Sequence, residues 1–465
     1  MKPEPADLVI EGGTVVTESW AGPATIVVRD GRVLSLLSPN VSTSSLGAAR
    51  TIDATGRLVL PGAVDPHCHI AVPLGEFVTL DDFQTASLAA LAGGTTTIVD
   101  FAIPTPDEHP MEALEAKLEM GRSSRCDYAL HGCVAGTPSD IPGIVRDFVA
   151  AGVRTVKLFT TYRDLLMVGT ETIEAVMTAL AVASGLTYVH AEDNSLVEAA
   201  QDEAVRTGHI DAAGMAGTRP AAAEERAVAE VLAAAERTGA PVYFVHQSTP
   251  DVVDQVVRAR QRGVRAFSES CPHYLILDDS VYAGDRPERY VCCPPIRDRV
   301  TVDGLVSRLV DGFLHTVGSD HCCYDSSQKA LRAADVRAMP NGLPGVETRW
   351  PVVWDAFVAS ERMSAQRFVE VMATNPARLN GLFPRKGTIA PGSDADLVIL
   401  DPSESRPVRV QDLHMQTDYT PYEGRDVTGW PSTVIARGRL VLDEGKLIDP
   451  GPVGEFLPAE PLTFD

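Results

Sequence analysis

Residues 58–69 read Leu58-Val59-Leu60-Pro61-Gly62-Ala63-Val64-Asp65-Pro66-His67-Cys68-His69, an apolar run that ends in two histidines one residue apart. On an extended chain, side chains two positions apart point the same way, so His67 and His69 can grip one metal ion. The pattern of a short apolar run closed by polar residues recurs along the chain. With Leu58–Ala63, the segments Thr95–Phe101, Tyr128–Val134, Thr155–Phe159, Thr187–His190, Val242–His246, Arg265–Ser268 and Thr316–Ser319 make eight candidate strands. Helical, Ala-rich stretches such as Met111–Arg122 and Ala221–Thr238 lie between them. This alternation predicts an α/β fold, a (β/α)8 TIM barrel with insertions over 59–383.

Both ends of the chain have a different rhythm. Asp7–Ile10, Thr14–Val16, Ala24–Val28 and Val33–Leu37 are β-rich and punctuated by Glu11-Gly12-Gly13 and Arg29-Asp30-Gly31. After Phe383, Leu397–Leu400, Val434–Arg437 and Arg439–Val441 read the same way. Residues 1–58 and 384–465 together predict a smaller β-sandwich domain beside the catalytic barrel.

The 465 residues are 45% hydrophobic and carry a formal net charge of −23. Such a surface repels phosphate backbones, which excludes nucleic acid as a partner class. No apolar run reaches the roughly 18 residues needed to span a bilayer, so no membrane role is expected. Met1–Asp7 is not followed by an apolar signal core, and the eight cysteines read as reduced thiols, so the chain is expected in the cytoplasm.

Four segments carry the chemistry, each at the C-terminal end of a candidate strand, where barrels of this kind keep their sites. Besides His67 and His69 they offer His190, His246 and Asp320, the last in Gly318-Ser319-Asp320-His321. Any of these histidines alone reads as a core residue with a hydrogen-bond partner. A carboxylate after a buried run is costly unless it is paired or bound to a metal. Nitrogen and oxygen donors of this kind suit zinc, with manganese or cobalt as alternatives. Lys157, in Val156-Lys157-Leu158-Phe159, is either a surface lysine on a misjudged strand or an amine that reacts with carbon dioxide. The resulting carbamate has two oxygens that could bridge two metals about 3.5–4 Å apart.

Taken together, these segments resemble the cyclic amidohydrolases, in particular D-hydantoinases and dihydropyrimidinases. The resemblance runs from Gly12-Gly13-Thr14 to Asp443-Glu444-Gly445 and is most specific at 61–69, Gly93-Gly94-Thr95-Thr96-Thr97, Lys157 with Tyr162, and 318–321, while Asn341–Glu347 and Asn375-Pro376-Ala377 also fit. It implies that His67 and His69 hold a buried metal, His190 and His246 a more exposed one, and carboxylated Lys157 bridges them. It further implies that Asp320 binds metal and acts as the catalytic acid/base, and that Tyr162 donates to the oxyanion. The stretches around Cys293 and Asn341 would hold the substrate's amide edge, and Leu74, Phe159 and Leu166 would gate its exocyclic substituent. The implied reaction is ring opening of a hydantoin or dihydropyrimidine to an N-carbamoyl amino acid by a metal-bridging hydroxide, in a homotetramer or dimer. Two departures concern the ring: Cys293 stands where hydantoinases often have serine, and Cys271-Pro272-His273-Tyr274 is reminiscent of allantoinases. An allantoinase and a non-catalytic, dihydropyrimidinase-like assembly protein are the competing readings. The filled ligand positions argue against the second.

Overall fold

The structure, a computed structural model, describes residues 5–105 and 108–464, without the side chains of Ser45 and Leu74. Eight parallel strands form one sheet in chain order: β1 (Ala63–Cys68), β2 (Thr95–Ala102), β3 (Asp127–Cys133), β4 (Thr155–Phe159), β5 (Leu186–His190), β6 (Val242–Phe244), β7 (Ala266–Ser270) and β8 (Thr316–Val317). The circle closes past β8, where Cys68 bridges His321 and the His69 N–H donates to the His321 carbonyl at 2.7 Å. Every residue of β2 and β4 is buried, as expected for parallel strands covered on both faces. Helices such as Pro110–Gly121 and Ala221–Thr238 form the outer layer, starting and ending close to the bounds expected from sequence.

One strand expectation is corrected. Leu58–Ala63 is not the first barrel strand. Leu58–Pro61 pairs antiparallel with Leu397–Leu400 and parallel with Thr14–Val16 in a seven-stranded sheet outside the barrel. The barrel strand starts only at Ala63, so His67 lies within β1 rather than after it. An apolar run buried in either sheet has the same pattern, and pairing alone decides which sheet it joins. Gly62 marks the crossing: a Cβ there would collide with the Thr96 side chain.

A second sheet orders Arg32–Leu37, Thr25–Arg29, Leu8–Glu11 and Arg50–Asp53. Leu8, Ile10, Ile26 and Val28 face Val15, Val59, Leu397, Ile399 and Ile435 in a shared core, while Val9 and Val27 point to the opposite face. That is the period-two alternation of a sandwich layer. The chain's last stretch leaves these sheets. Gly454 N–H donates to the Ser124 carbonyl, Leu457 N–H to Tyr128 and Leu462 N–H to Ser184, so this segment lines the entry ends of β3 and β5. Leu457 packs on Val64, Val99 and Ala129 there. No helix among the described residues is long and apolar enough to cross a membrane.

The sheets are locked to the barrel by a buried cation. Lys386 Nζ lies 2.6 Å from Asp127 on β3, 2.7 Å from Asp396 and 3.0 Å from Asp394. Burial disfavours its charge, but Asp396, Asp127 and Asp394 outweigh that and hold the ammonium well above the ordinary lysine range. Removing one partner of a buried ion cluster typically costs about 3–5 kcal/mol. Lys386→Met is therefore expected to lower the melting temperature strongly, with the sheet segments exchanging amide hydrogens first. A melting curve that overlays the wild type would contradict the lock.

Candidate active site

The residues expected to carry chemistry converge at the C-terminal mouth of the barrel. His67 is the penultimate residue of β1, Lys157 sits within β4, and His190 ends β5. His246 and Asp320 follow β6 and β8 with φ of +38° and +49°, a left-handed backbone that is costly for non-glycine residues. Such strain persists where the surroundings enforce it and collects at functional sites.

Three ligand atoms meet there. Asp320 Oδ1 lies 3.0 Å from His67 Nε2 and 3.1 Å from His69 Nε2, and the two ring nitrogens are 3.3 Å apart. The His246 ring stands 5.4 Å from His67 and 4.5 Å from His190 between centroids, so the second pair of histidines adjoins the first cluster. Lys157 Nζ is fully buried, 4.8 Å from the Phe101 ring and 5.0 Å from Phe159, and has no hydrogen-bond partner. His246 Nδ1 is likewise buried and unpartnered. Orphaned buried polar atoms are rare because each costs the desolvation of the group. Two such atoms beside a converging His–His–Asp set fit a metal centre of nitrogen and oxygen donors.

Two buried carboxylates stand behind the histidines, and sequence reasoning missed both. Glu269 on β7 accepts from His67 Nδ1 at 2.7 Å, from the His246 N–H at 3.0 Å and from the Tyr243 hydroxyl at 2.7 Å. Glu192 accepts from His190 Nε2 at 2.7 Å and is paired with Arg219 at 2.6 Å. Each carboxylate takes one ring N–H, which leaves His67 Nε2 facing Asp320 and His69 and makes His190 Nδ1 the nitrogen available as a ligand. The signal for Glu269 was a carboxylate inside a buried strand. For Glu192 it was an acid two residues past a strand-end histidine.

Electrostatics follow from this packing. Burial would lower His67, but Asp320 and Glu269 raise it to about 9. Burial lowers His190 to about 4 against the pull of Glu192. Burial would raise Asp320, yet His67 and His69 hold its carboxyl well below the usual range. Burial lowers Lys157 to about 8, only partly offset by Asp320 and Glu269.

Tyr162 has φ +68° and places its ring 5.4 Å from His190 and 6.0 Å from Phe159, with the Arg219 guanidinium 5.2 Å from its centroid. Burial keeps its hydroxyl protonated, and the Cys293 thiol lies against it. Phe159 also approaches His190, at 5.7 Å. Leu166 is half-buried and its N–H donates to the Tyr162 carbonyl at 3.0 Å. The Asn341 stretch is tied to the Cys293 stretch, because the Gly342 N–H donates to the Val291 carbonyl at 3.1 Å. The side chain of Leu74 lies outside the described residues.

A second cluster, Asp81, His321 and Cys323, is already satisfied. His321 Nδ1 accepts from the Gly345 N–H at 3.1 Å, and its Nε2 lies 3.1 Å from Asp81, whose other oxygen accepts from Gln416. It has no lone pair left on His321 for a metal and anchors the chain that follows Asp320.

Residues 58–441 match the amidohydrolase family. The chain belongs to the amidohydrolase family. This amidohydrolase is 34% identical over 457 residues to the D-hydantoinase of Geobacillus stearothermophilus, covering 97% of its own length and 96% of that protein. It is 37% identical to the D-hydantoinase of Ralstonia pickettii, with 97% and 98% covered. The crystal structure of dihydropyrimidinase from Brevibacillus agri superimposes with a TM-score of 0.94 at 34% identity, over 98% of this chain and 99% of that one. The barrel architecture is therefore shared with these enzymes.

Proposed function

We propose that this amidohydrolase opens a hydantoin or dihydropyrimidine ring by hydrolysis, releasing an N-carbamoyl amino acid. The observation that carries the reading is the convergence of His67, His69 and Asp320 beside the orphaned Lys157 amine at the barrel mouth. The names of the relatives, D-hydantoinase and dihydropyrimidinase, supply the ring class.

In this reading His67 and His69 would hold one divalent metal and His190 and His246 the other, with Asp320 as a further donor beside the first pair. The donor set would suit zinc, with manganese or cobalt as substitutes. The neutral Lys157 amine would add to carbon dioxide, forming an N–C bond and releasing a proton, and the carbamate oxygens would complete the donor set. A metal held there would polarise the amide carbonyl and lower the pKa of a bound water toward neutrality.

The protein's own groups do the rest. Asp320 takes the proton of the attacking water and returns it to the departing ring nitrogen, which cannot leave as an anion. Tyr162, kept protonated by burial, donates to the oxygen that becomes an oxyanion, a contact typically worth about 3–4 kcal/mol. Main-chain groups around Cys293 and Asn341 hold the amide edge. Leu74, Phe159 and Leu166 gate the exocyclic substituent, so hydrogen, alkyl or aryl groups are favoured over a carboxylate that would be buried unpaired. Leu166→Ala is expected to change the ranking among 5-substituted hydantoins with little change in melting temperature. An unchanged ranking with a lowered melting temperature would make Leu166 a packing residue.

The division into a barrel over 59–383 and a sheet lobe from 1–58 and 384–465, with the first boundary moved to Gly62 because Leu58–Pro61 pairs in the outer sheet, a homotetramer or dimer, and the cytoplasm complete the proposal. The deciding experiment is turnover of dihydrouracil, dihydrothymine, substituted hydantoins and allantoin by zinc-loaded protein. Hydrolysis of the first three classes supports the reading. Turnover of allantoin alone would replace it with an allantoinase.

A further inference from the structure

Lys329 lies on the short helix Ser326–Leu331 and is fully buried, away from the ligand cluster. Its Nζ donates to the carbonyl of Val291 at 2.7 Å and to that of Pro340 at 2.9 Å. Among the described residues no carboxylate pairs with it within ion-pair distance. Burial pushes the ammonium down to about 8, with Cys292, Cys322, Cys293 and Glu288 as the groups that favour its charge. The Tyr324 ring stands 5.6 Å away. An ammonium held by main-chain carbonyls and a ring, with no paired carboxylate, is an expensive way to fill a core.

The two carbonyls explain the expense. Val291 immediately precedes Cys292-Cys293-Pro294, and Pro340 immediately precedes Asn341-Gly342. These are the two stretches assigned above to the substrate's amide edge. They are also stitched to each other, since the Gly342 N–H shares the Val291 carbonyl with Lys329. Asn341 is held from a third side, where its carbonyl accepts from Cys322 Sγ at 3.5 Å. Gly342, at φ +136°, has no room for a Cβ against Cys322. The lysine therefore closes a small ring of contacts whose outer members are the loops themselves.

We propose that Lys329 is a positioning residue that locks the loops at 291–295 and 340–343 into one register, and so sets affinity for the ring without taking part in the chemistry. The role in affinity rests on the substrate contacts proposed for Cys293 and Asn341. The locking does not. Loss of a charge-assisted hydrogen bond predicts a KM raised by about tenfold in Lys329→Met, with kcat changed by less than about threefold, because main-chain groups that hold the ring act in the ground and transition states alike. Metal content per chain should equal that of the wild type. If Lys329→Met is insoluble, Lys329→Gln, which keeps an uncharged and shorter donor group, is read the same way. An unchanged KM with a lowered melting temperature, or a fall in kcat and metal content at constant KM, would overturn the proposal. If the wild-type protein opens no ring, the reading of function fails by itself, and locking is read by hydrogen exchange. Faster exchange confined to 291–295 and 340–343 in the variant supports it, and unchanged exchange there overturns it.

Discussion

Asp320→Asn is expected to fold, to retain much of its metal, and to lose turnover by about 10²–10⁴-fold, the usual worth of positioned proton transfer. The amide is isosteric with the carboxylate, so the left-handed backbone at this position and the packing around a residue only 8% exposed are preserved. What disappears is a group that can accept a proton from water and pass it on. His67 cannot replace it, because its Nδ1 proton is committed to Glu269 and its Nε2 faces the ligand cluster. Single-turnover and steady-state rates on a hydantoin, with metal content measured on the same sample, check this. A near wild-type rate would remove Asp320 from the mechanism.

Lys157→Ala is expected to lose most bound metal and, with it, most activity. The wild-type Nζ sits in a buried position with no hydrogen-bond partner, so the alanine variant breaks no hydrogen bond and loses only the packing of the stem and the contacts with the Phe101 and Phe159 rings. Removal of a merely structural lysine there would cost stability through the cavity it leaves, but not metal content. If it instead carries the bridging carbamate, short carboxylic acids supplied in the buffer should partly restore both metal content and turnover, because they bring the same two oxygens into the space the side chain vacates. Full metal content and full activity in Lys157→Ala would refute the bridge.

The parts of this molecule that were legible in sequence are those whose signal is local. β2 and β4 are buried on both faces, and their unbroken apolar character stands out along the chain. The histidines, Lys157 and Asp320 were visible because they interrupt or end such runs. Leu58–Pro61 was misplaced because burial writes the same letters into either sheet, and its partner Leu397–Leu400 is distant in the chain. Glu269 went unread for a similar reason: it lies 202 residues from His67, and nothing near it in sequence announces a histidine partner. Lys329 looked like one more charged residue on a short helix, since its function is to satisfy main-chain carbonyls, which leave no trace in the sequence. The closing segment around Leu457 is held to the barrel floor largely by main-chain hydrogen bonds and was invisible for the same reason.

The most direct test of the central claim is ring opening in heavy-oxygen water. Protein loaded with zinc is incubated with dihydrouracil or a 5-substituted hydantoin, and the product is read by mass spectrometry beside the metal content of the protein. Hydrolysis of the ring amide predicts a product heavier than the substrate by one water, with a single heavy oxygen in the new carboxylate, formed by wild type at two metals per chain and not by the metal-depleted protein. An intact ring after incubation with fully loaded wild-type protein would contradict the assignment.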